Sequence, residues 1–188
     1  MGSERHSRIR GAGLALVVIL ALFFFGACGS AQTSSGTDAP ASGPSCTVSI
    51  SCATILDNME LCDPSKVDLI PDDGWILKPV SAEFSEGETV FDVLKRVCRE
   101  NEIHLEFTIT PAYNSVYVEG IANIYEFDAG ALSGWMYDVN GWFPNYSCSV
   151  CGLKDGDVVR FVYTCDLGAD VGGGGVDQTE GGGEDAEH

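Results

Sequence analysis

One stretch of this 188-residue chain repeats its apolar residues at the helical period, while the other patterned stretches run at period two. The helical stretch covers residues 89–101. Val90, Phe91, Leu94, Val97 and Cys98 fall on one face, and Lys95, Arg96, Arg99 and Glu100 lie elsewhere. Thr89 is placed to cap it, with Asp92 three residues on as the reciprocal partner. Against that single helix stand many short extended segments. Cys46, Val48, Ile50 and Cys52 alternate with Thr47, Ser49 and Ser51, the pattern of a half-buried strand. Residues 76–84, 104–110, 115–119, 121–127, 135–139 and 158–165 also read as extended. Asn140-Gly141 is a two-residue hairpin signal, and Trp142-Phe143 would start the return strand. One helix against six or more strands is an α+β composition.

The ends of the chain limit where a core can form. Residues 29–44 are small or polar, with no bulky apolar side chain, and read as a flexible tether. From Val171 onward the chain is glycine and acid, a composition that cannot bury a core. The organisation expected is therefore a segment over 1–27, a linker over 28–44, one folded domain over 45–168 and a disordered acidic tail over 169–188. Residues 1–27 combine Arg5, Arg8 and Arg10 with an apolar run over 14–25 and end in Phe25-Gly26-Ala27 before Cys28. That run is short for a membrane span, which needs about 20 apolar residues. A basic start, an apolar centre and small residues make a secretory signal. With a cysteine at the cut, it resembles a bacterial lipoprotein signal. The resemblance implies that Cys28 becomes the diacylated N-terminus, carrying palmitate-like chains. The domain would then sit on the extracellular face of the cell membrane, lipid-anchored.

The formal net charge is −18 at pH 7. Nucleic acid is excluded as a partner, because neutralising phosphates takes clustered Lys and Arg. The acidity fits a solvated surface. Apart from Cys28, the chain has Cys46, Cys52, Cys62, Cys98, Cys148, Cys151 and Cys165. Outside the cytoplasm, that density points to disulfides, and the odd number leaves at least one thiol over. Cys98 is expected to bond to the first strand, at Cys52, since both faces turn toward one core. The other pairings stay open.

Three groups of residues invite a chemical reading. The first is the aromatic hairpin of Trp135, Tyr137, Asn140, Trp142, Phe143 and Tyr146, whose flat faces suit a planar or sugar-like ligand. Its competitor is a core role for Trp135 and Tyr137. The second is Cys148-Ser-Val-Cys151, with dithiol or metal spacing but no second such pair to build a zinc site, so structural disulfides are preferred. The third is His104, the folded domain's one histidine, which reads as a surface strand residue. Asp155, Asp157, Asp166 and Asp170 do not follow a calcium-loop pattern, and Asp155-Gly156-Asp157 reads as a turn. A binding module is expected, and neither an enzyme nor a metal site.

Residues 134–141 (Gly-Trp-Met-Tyr-Asp-Val-Asn-Gly), 154–159 (Lys-Asp-Gly-Asp-Val-Val) and 163–168 (Tyr-Thr-Cys-Asp-Leu-Gly) resemble a bacterial extracellular domain family. That family is related to the C-terminal domain of transcobalamin and intrinsic factor. Residues 87–94 (Gly-Glu-Thr-Val-Phe-Asp-Val-Leu) and the 46–52 strand agree with it. The resemblance implies a β-grasp-like fold, a mixed sheet around one helix. It also implies a small-ligand module, with cobalamin as the ligand to test. In the vertebrate carriers, this domain caps one face of cobalamin and an all-helical domain holds the other; this sequence has no such helical partner. A cell-surface adhesion or structural module binding a protein or glycan is the alternative.

Overall fold

The structure is a computed structural model, and it describes residues 43–111 and 115–173. The expected signal, Cys28, most of the expected linker and the expected tail beyond Gly173 lie outside the described residues.

Seven strands and two α-helices, with three short 3-10 turns, make up the described chain. In order they are β1 (Ser45–Ser51), α1 (Ala53–Leu56), β2 (Trp75–Glu83), α2 (Val90–Glu100), β3 (Leu105–Thr110), β4 (Ser115–Ile121), β5 (Ile124–Tyr125), β6 (Gly134–Val139) and β7 (Val158–Thr164). The class is α+β, as the period-two segments predict. The sheet is divided where the sequence suggested one. Strands β2-β1-β7-β6 form a four-stranded sheet and β3-β4-β5 a separate three-stranded one. β1 and β7 run parallel, and the other pairs are antiparallel.

α2 forms where its period predicts. Thr89 accepts from the Asp92 N–H through its side chain, and Asp92 returns the bond to the Thr89 N–H at 3.0 Å. Two N–H groups at the helix start are thereby satisfied. Six helix residues are buried, including Val93, which the sequence face omitted. They pack with Val48, Ile50, Val159 and Phe161 in the larger core cluster. A buried side chain of this kind stabilises by about 1.5–3 kcal/mol.

Cys52 departs from its expected place. The β1–β2 register shifts after Ile50, the strand ends at Ser51, and Cys52 caps α1 instead. Its side chain joins a second core cluster with Ile55, Cys62, Ile124, Tyr163 and Cys165. Cys98 belongs to the larger cluster, with Cys46, Cys148 and Cys151. The two cysteines expected to pair, Cys52 and Cys98, therefore lie in different core clusters, and no disulfide joins any of the seven described cysteines, all of which are buried.

The 140–141 turn also does less than expected. Asn140 and Gly141 both take positive φ, 56° and 83°, as a primed hairpin turn requires. Yet only the Val139–Trp142 bridge follows, and β6 pairs with β7 rather than with a return strand. The 121–127 segment is broken too. Ala122 and Asn123 adopt positive φ, leaving β5 only two residues long. At the C-terminus, described structure runs five residues past the expected boundary. Asp170 accepts from Thr164 Oγ1 and the Cys165 N–H, and Gly168 donates to Thr164 Oγ1.

Gly74 holds α1 against the start of β2. Its φ is +70°, and a Cβ there would lie 2.5 Å from Ala53 Cα and 2.9 Å from Ala53 N. Backbone atoms cannot yield as a flexible side chain can. Gly74→Ala is expected to cost about 2–4 kcal/mol. Urea unfolding of the purified protein measures this, and an unchanged midpoint would contradict the close packing of this turn.

Candidate functional site

A groove of about 540 Å³ opens where the two sheets face each other. One wall is β4, through Ser115, Val116, Tyr117 and Val118, and the other is the edge strand β6, through Trp135, Met136 and Tyr137. The 144–148 segment completes the lining, with Phe161 of β7 at the base. β4 faces the groove because β5 pairs only with Gly120 and Ile121 and leaves residues 115–119 uncovered by a strand on that side.

The loop over the groove is tied on three sides. The Val116 N–H reaches both Ser147 Oγ and Ser149 Oγ at 3.1 Å, and Ser147 Oγ donates to the Val116 carbonyl at 2.6 Å. Tyr137 donates its hydroxyl to the Tyr146 carbonyl at 3.0 Å. The first N–H groups of α2 do the rest: Val90 donates to the Cys151 carbonyl and Phe91 to the Cys148 carbonyl. Free N–H groups at a helix start need acceptors, and this loop supplies two.

The lining carries no Asp, Glu, Lys or Arg, although the chain has 28 acidic residues. What it offers is aromatic face and neutral hydroxyl or amide groups. Tyr137 stacks on Phe161, with ring centroids 5.9 Å apart. Burial and the nearby Cys151 and Cys148 thiols push the Tyr137 phenol well above its ordinary range, so it stays a neutral donor. Burial likewise raises Tyr146 and takes the Cys148 thiol up to about 12. Such a surface can stack on a flat uncharged ligand and hydrogen-bond its rim. Nothing in it supplies a charged acid–base pair.

The aromatic residues singled out from the sequence divide. Trp135, Tyr137 and Tyr146 line the groove, while Asn140, Trp142 and Phe143 lie outside it. Trp135 is also structural, since its Nε1 donates to the Ile124 carbonyl at 2.8 Å and its ring meets Tyr163 edge-on at 5.2 Å. Phe143 is buried, and Gly173 passes it so closely that a Cβ there would sit 3.0 Å from its ring. Trp142 is part-exposed, 5.9 Å from the Tyr146 ring. Asn140 donates to Asp157 at 2.9 Å and accepts from the Val158 N–H.

Other sequence candidates fall elsewhere. His104 is exposed, with its ring 6.4 Å from that of Tyr125. Asp155 accepts from the Ser45 N–H and Asp157 from the Lys154 N–H, as turn residues do. Among the described residues, no three His, Cys, Asp or Glu side chains converge to hold a metal ion. The β4 wall and the Ser147 and Ser149 hydroxyls had not been singled out. They join the site only through sheet-to-sheet packing.

A family model described as a domain of unknown function (DUF4430) matches residues 87–164, which include α2, β4, β6 and the groove loop. No curated protein matches the chain. Among solved structures, it is similar to haptocorrin in complex with Cbi, at 11% identity and a TM-score of 0.43. That similarity covers 65% of this chain and 26% of haptocorrin, so the chain spans about a quarter of that protein. It is also similar to a protein of Ruminococcus gnavus ATCC 29149 for which metal binding has been suggested. Identity there is 16% and the TM-score 0.38, covering 64% of this chain and 96% of that one.

Proposed function

We propose that this chain is a lipid-anchored extracellular binding module, not an enzyme, and that it captures a small uncharged ligand in the groove between β4 and β6. The uncharged, aromatic lining of that groove carries the reading, in a chain so acidic elsewhere. A flat ligand gains contact area there at low entropy cost, because the loop is already tied by hydrogen bonds. A corrinoid is the ligand to test first, on the sequence resemblance to the transcobalamin cap. The β-grasp reading rests on the central parallel pair β1–β7, flanked by β2 and β6, with α2 packed on their buried residues.

The test is equilibrium titration of the purified protein, from Cys28 onward, with cyanocobalamin and cobinamide. Tyr146→Ala is expected to weaken binding by about 1–3 kcal/mol, the range for an aromatic anchor. The melting temperature should hardly move, since Tyr146 is an exposed loop residue. Absence of binding for both corrinoids would remove them as ligands. An unchanged affinity in Tyr146→Ala would move the site away from this groove.

The anchoring half of the proposal rests on Cys28. In the native host, Cys28→Ser is expected to abolish labelling by a palmitate analogue and to leave the protein misprocessed or released. A variant that is still acylated and membrane-bound would overturn it.

One observation favours the adhesion reading. Leu61, Phe127, Leu132 and Leu167 are exposed apolar residues near the β7 exit, where the Leu167 N–H donates to the Leu132 carbonyl. β1 enters from Ser45 at the opposite end, because β1 and β7 are parallel. A protein partner would meet that far end, and alanine substitutions there would then abolish binding of that partner while leaving both the lipid anchor and the groove intact.

A further inference from the structure

The described cysteines fall into two core clusters, and Cys46, Cys98, Cys148 and Cys151 share the larger one. Cys52, Cys62 and Cys165 gather in the smaller core cluster, an odd set with no unique pairing. Cys98 lies on α2, its thiol raised to about 12 by burial. Cys148 and Cys151 stand three residues apart, Cys148 inside the 147–150 turn closed by the Val150 N–H donating to the Ser147 carbonyl and Cys151 directly after it. Cys148 lines the groove itself, and Tyr146 Oη lies 4.0 Å from Cys151 Sγ.

We propose that Cys148 and Cys151 are a thiol–disulfide exchange centre in the groove wall, whose co-reactant is a disulfide of the glutathione class and whose oxidised form staples the groove loop. The step balances. One cysteine loses its proton to solvent, and its thiolate attacks the small disulfide, forming a mixed disulfide and releasing one small thiol. The second cysteine then loses its proton and displaces the other half. Two protein thiols are oxidised by two electrons, and one small disulfide is reduced to two thiols.

Two observations set the direction. The first is position. The carbonyls of these two cysteines accept the Phe91 and Val90 N–H groups, and the neighbouring serines hold Val116. A covalent link between residues 148 and 151 therefore braces the contacts of α2 and β4 with the loop together. The second is burial, which raises the Cys148 thiol. A thiolate that burial disfavours cannot stabilise the reduced pair, so the disulfide is favoured at equilibrium while exchange is slow in both directions. The centre is independent of which ligand fills the groove.

The experiment uses the reduced protein, from Cys28 onward, equilibrated with mixtures of reduced and oxidised glutathione. Differential alkylation and peptide mass mapping follow each thiol. Cys148 and Cys151 are expected to oxidise as a linked pair and to return on treatment with dithiothreitol. Amide hydrogen exchange then reads the staple. Exchange at Val90, Phe91 and Val116 is expected to be about tenfold slower in the oxidised protein than in the reduced protein. The Cys148→Ser, Cys151→Ser double variant should match the reduced protein under both conditions. Reduced wild type is the reference if that variant folds poorly. The proposal is overturned if the two thiols stay reduced, if either pairs with another cysteine, or if the pair oxidises with unchanged exchange at all three amides. A failed corrinoid titration would leave each of these readouts intact.

Discussion

Arg160→Met is expected to destabilise the domain by about 3–5 kcal/mol, more than Asp138→Asn does. The two residues face each other across β6 and β7. Asp138 is completely buried, and Arg160 Nε donates to both of its oxygens, at 3.1 and 2.8 Å. The Gly141 N–H is its other hydrogen-bond donor, at 2.9 Å. Removing the arginine strands a carboxylate in the interior with one hydrogen bond. Removing the charge of Asp138 instead leaves an arginine whose side chain is 44% exposed and can turn to water. The asymmetry is the test. Equal losses in urea unfolding would mean that the pair is worth only its mutual attraction, and a negligible loss in Arg160→Met would mean that Asp138 reaches solvent.

The second large effect is alkaline. Burial pushes Cys98 and Cys148 up to about 12 and Cys52 up to about 11, from 9.0. These are raised values, so the sign is fixed. Below pH 9 neither state ionises its thiols and the stability is complete. Above it the unfolded chain releases protons that the folded chain retains, and stability falls until the folded values near 11 and 12 are passed. At pH 10 each such thiol costs about 1.4 kcal/mol, or about 4 kcal/mol for the three in the reduced protein. Tyr163, raised by burial to about 12, adds to the loss above its ordinary value of 10.0. Urea midpoints between pH 7.5 and 10.5 under reducing conditions check this, and a flat profile would mean that the thiols are accessible in the folded state. A protein oxidised at Cys148 and Cys151 should lose less, because that part of the titration has gone.

The elements that were legible in the sequence are those whose signal is local. The α2 face and its Thr89–Asp92 cap are set by residues within one turn, and the strands before and after the helix carry their own alternation. What escaped depends on partners distant in the chain. Cys52 alternates properly with Ile50, but the turn into α1 moves it into another core. Asn140-Gly141 makes the turn it promises, yet β6 finds β7 instead of the residues that follow the turn. The aromatic cluster was half readable for the same reason. Tyr137 and Tyr146 meet the groove because β4 and the serine-tied loop come to them, while Phe143 is drawn inward by the chain at Gly173. A period cannot report which sheet will stand opposite.

The pairing of the first strand with the last bears on how the chain comes to be folded at all. β1 can find β2 early, but its other edge waits for β7, and the contact between Ser45 and Asp155 spans 110 residues. Closing so long a loop is slow, and the fast local helix α2 cannot substitute for it. Until residues 158–162 are available, β1 presents a bare edge carrying Val48 and Ile50, the kind of surface that recruits other chains. Synthesis from the N-terminus would hold that hazard open for most of the time the chain takes to appear. A chain delivered whole, threaded unfolded to the place where it folds, would pass through it once and briefly.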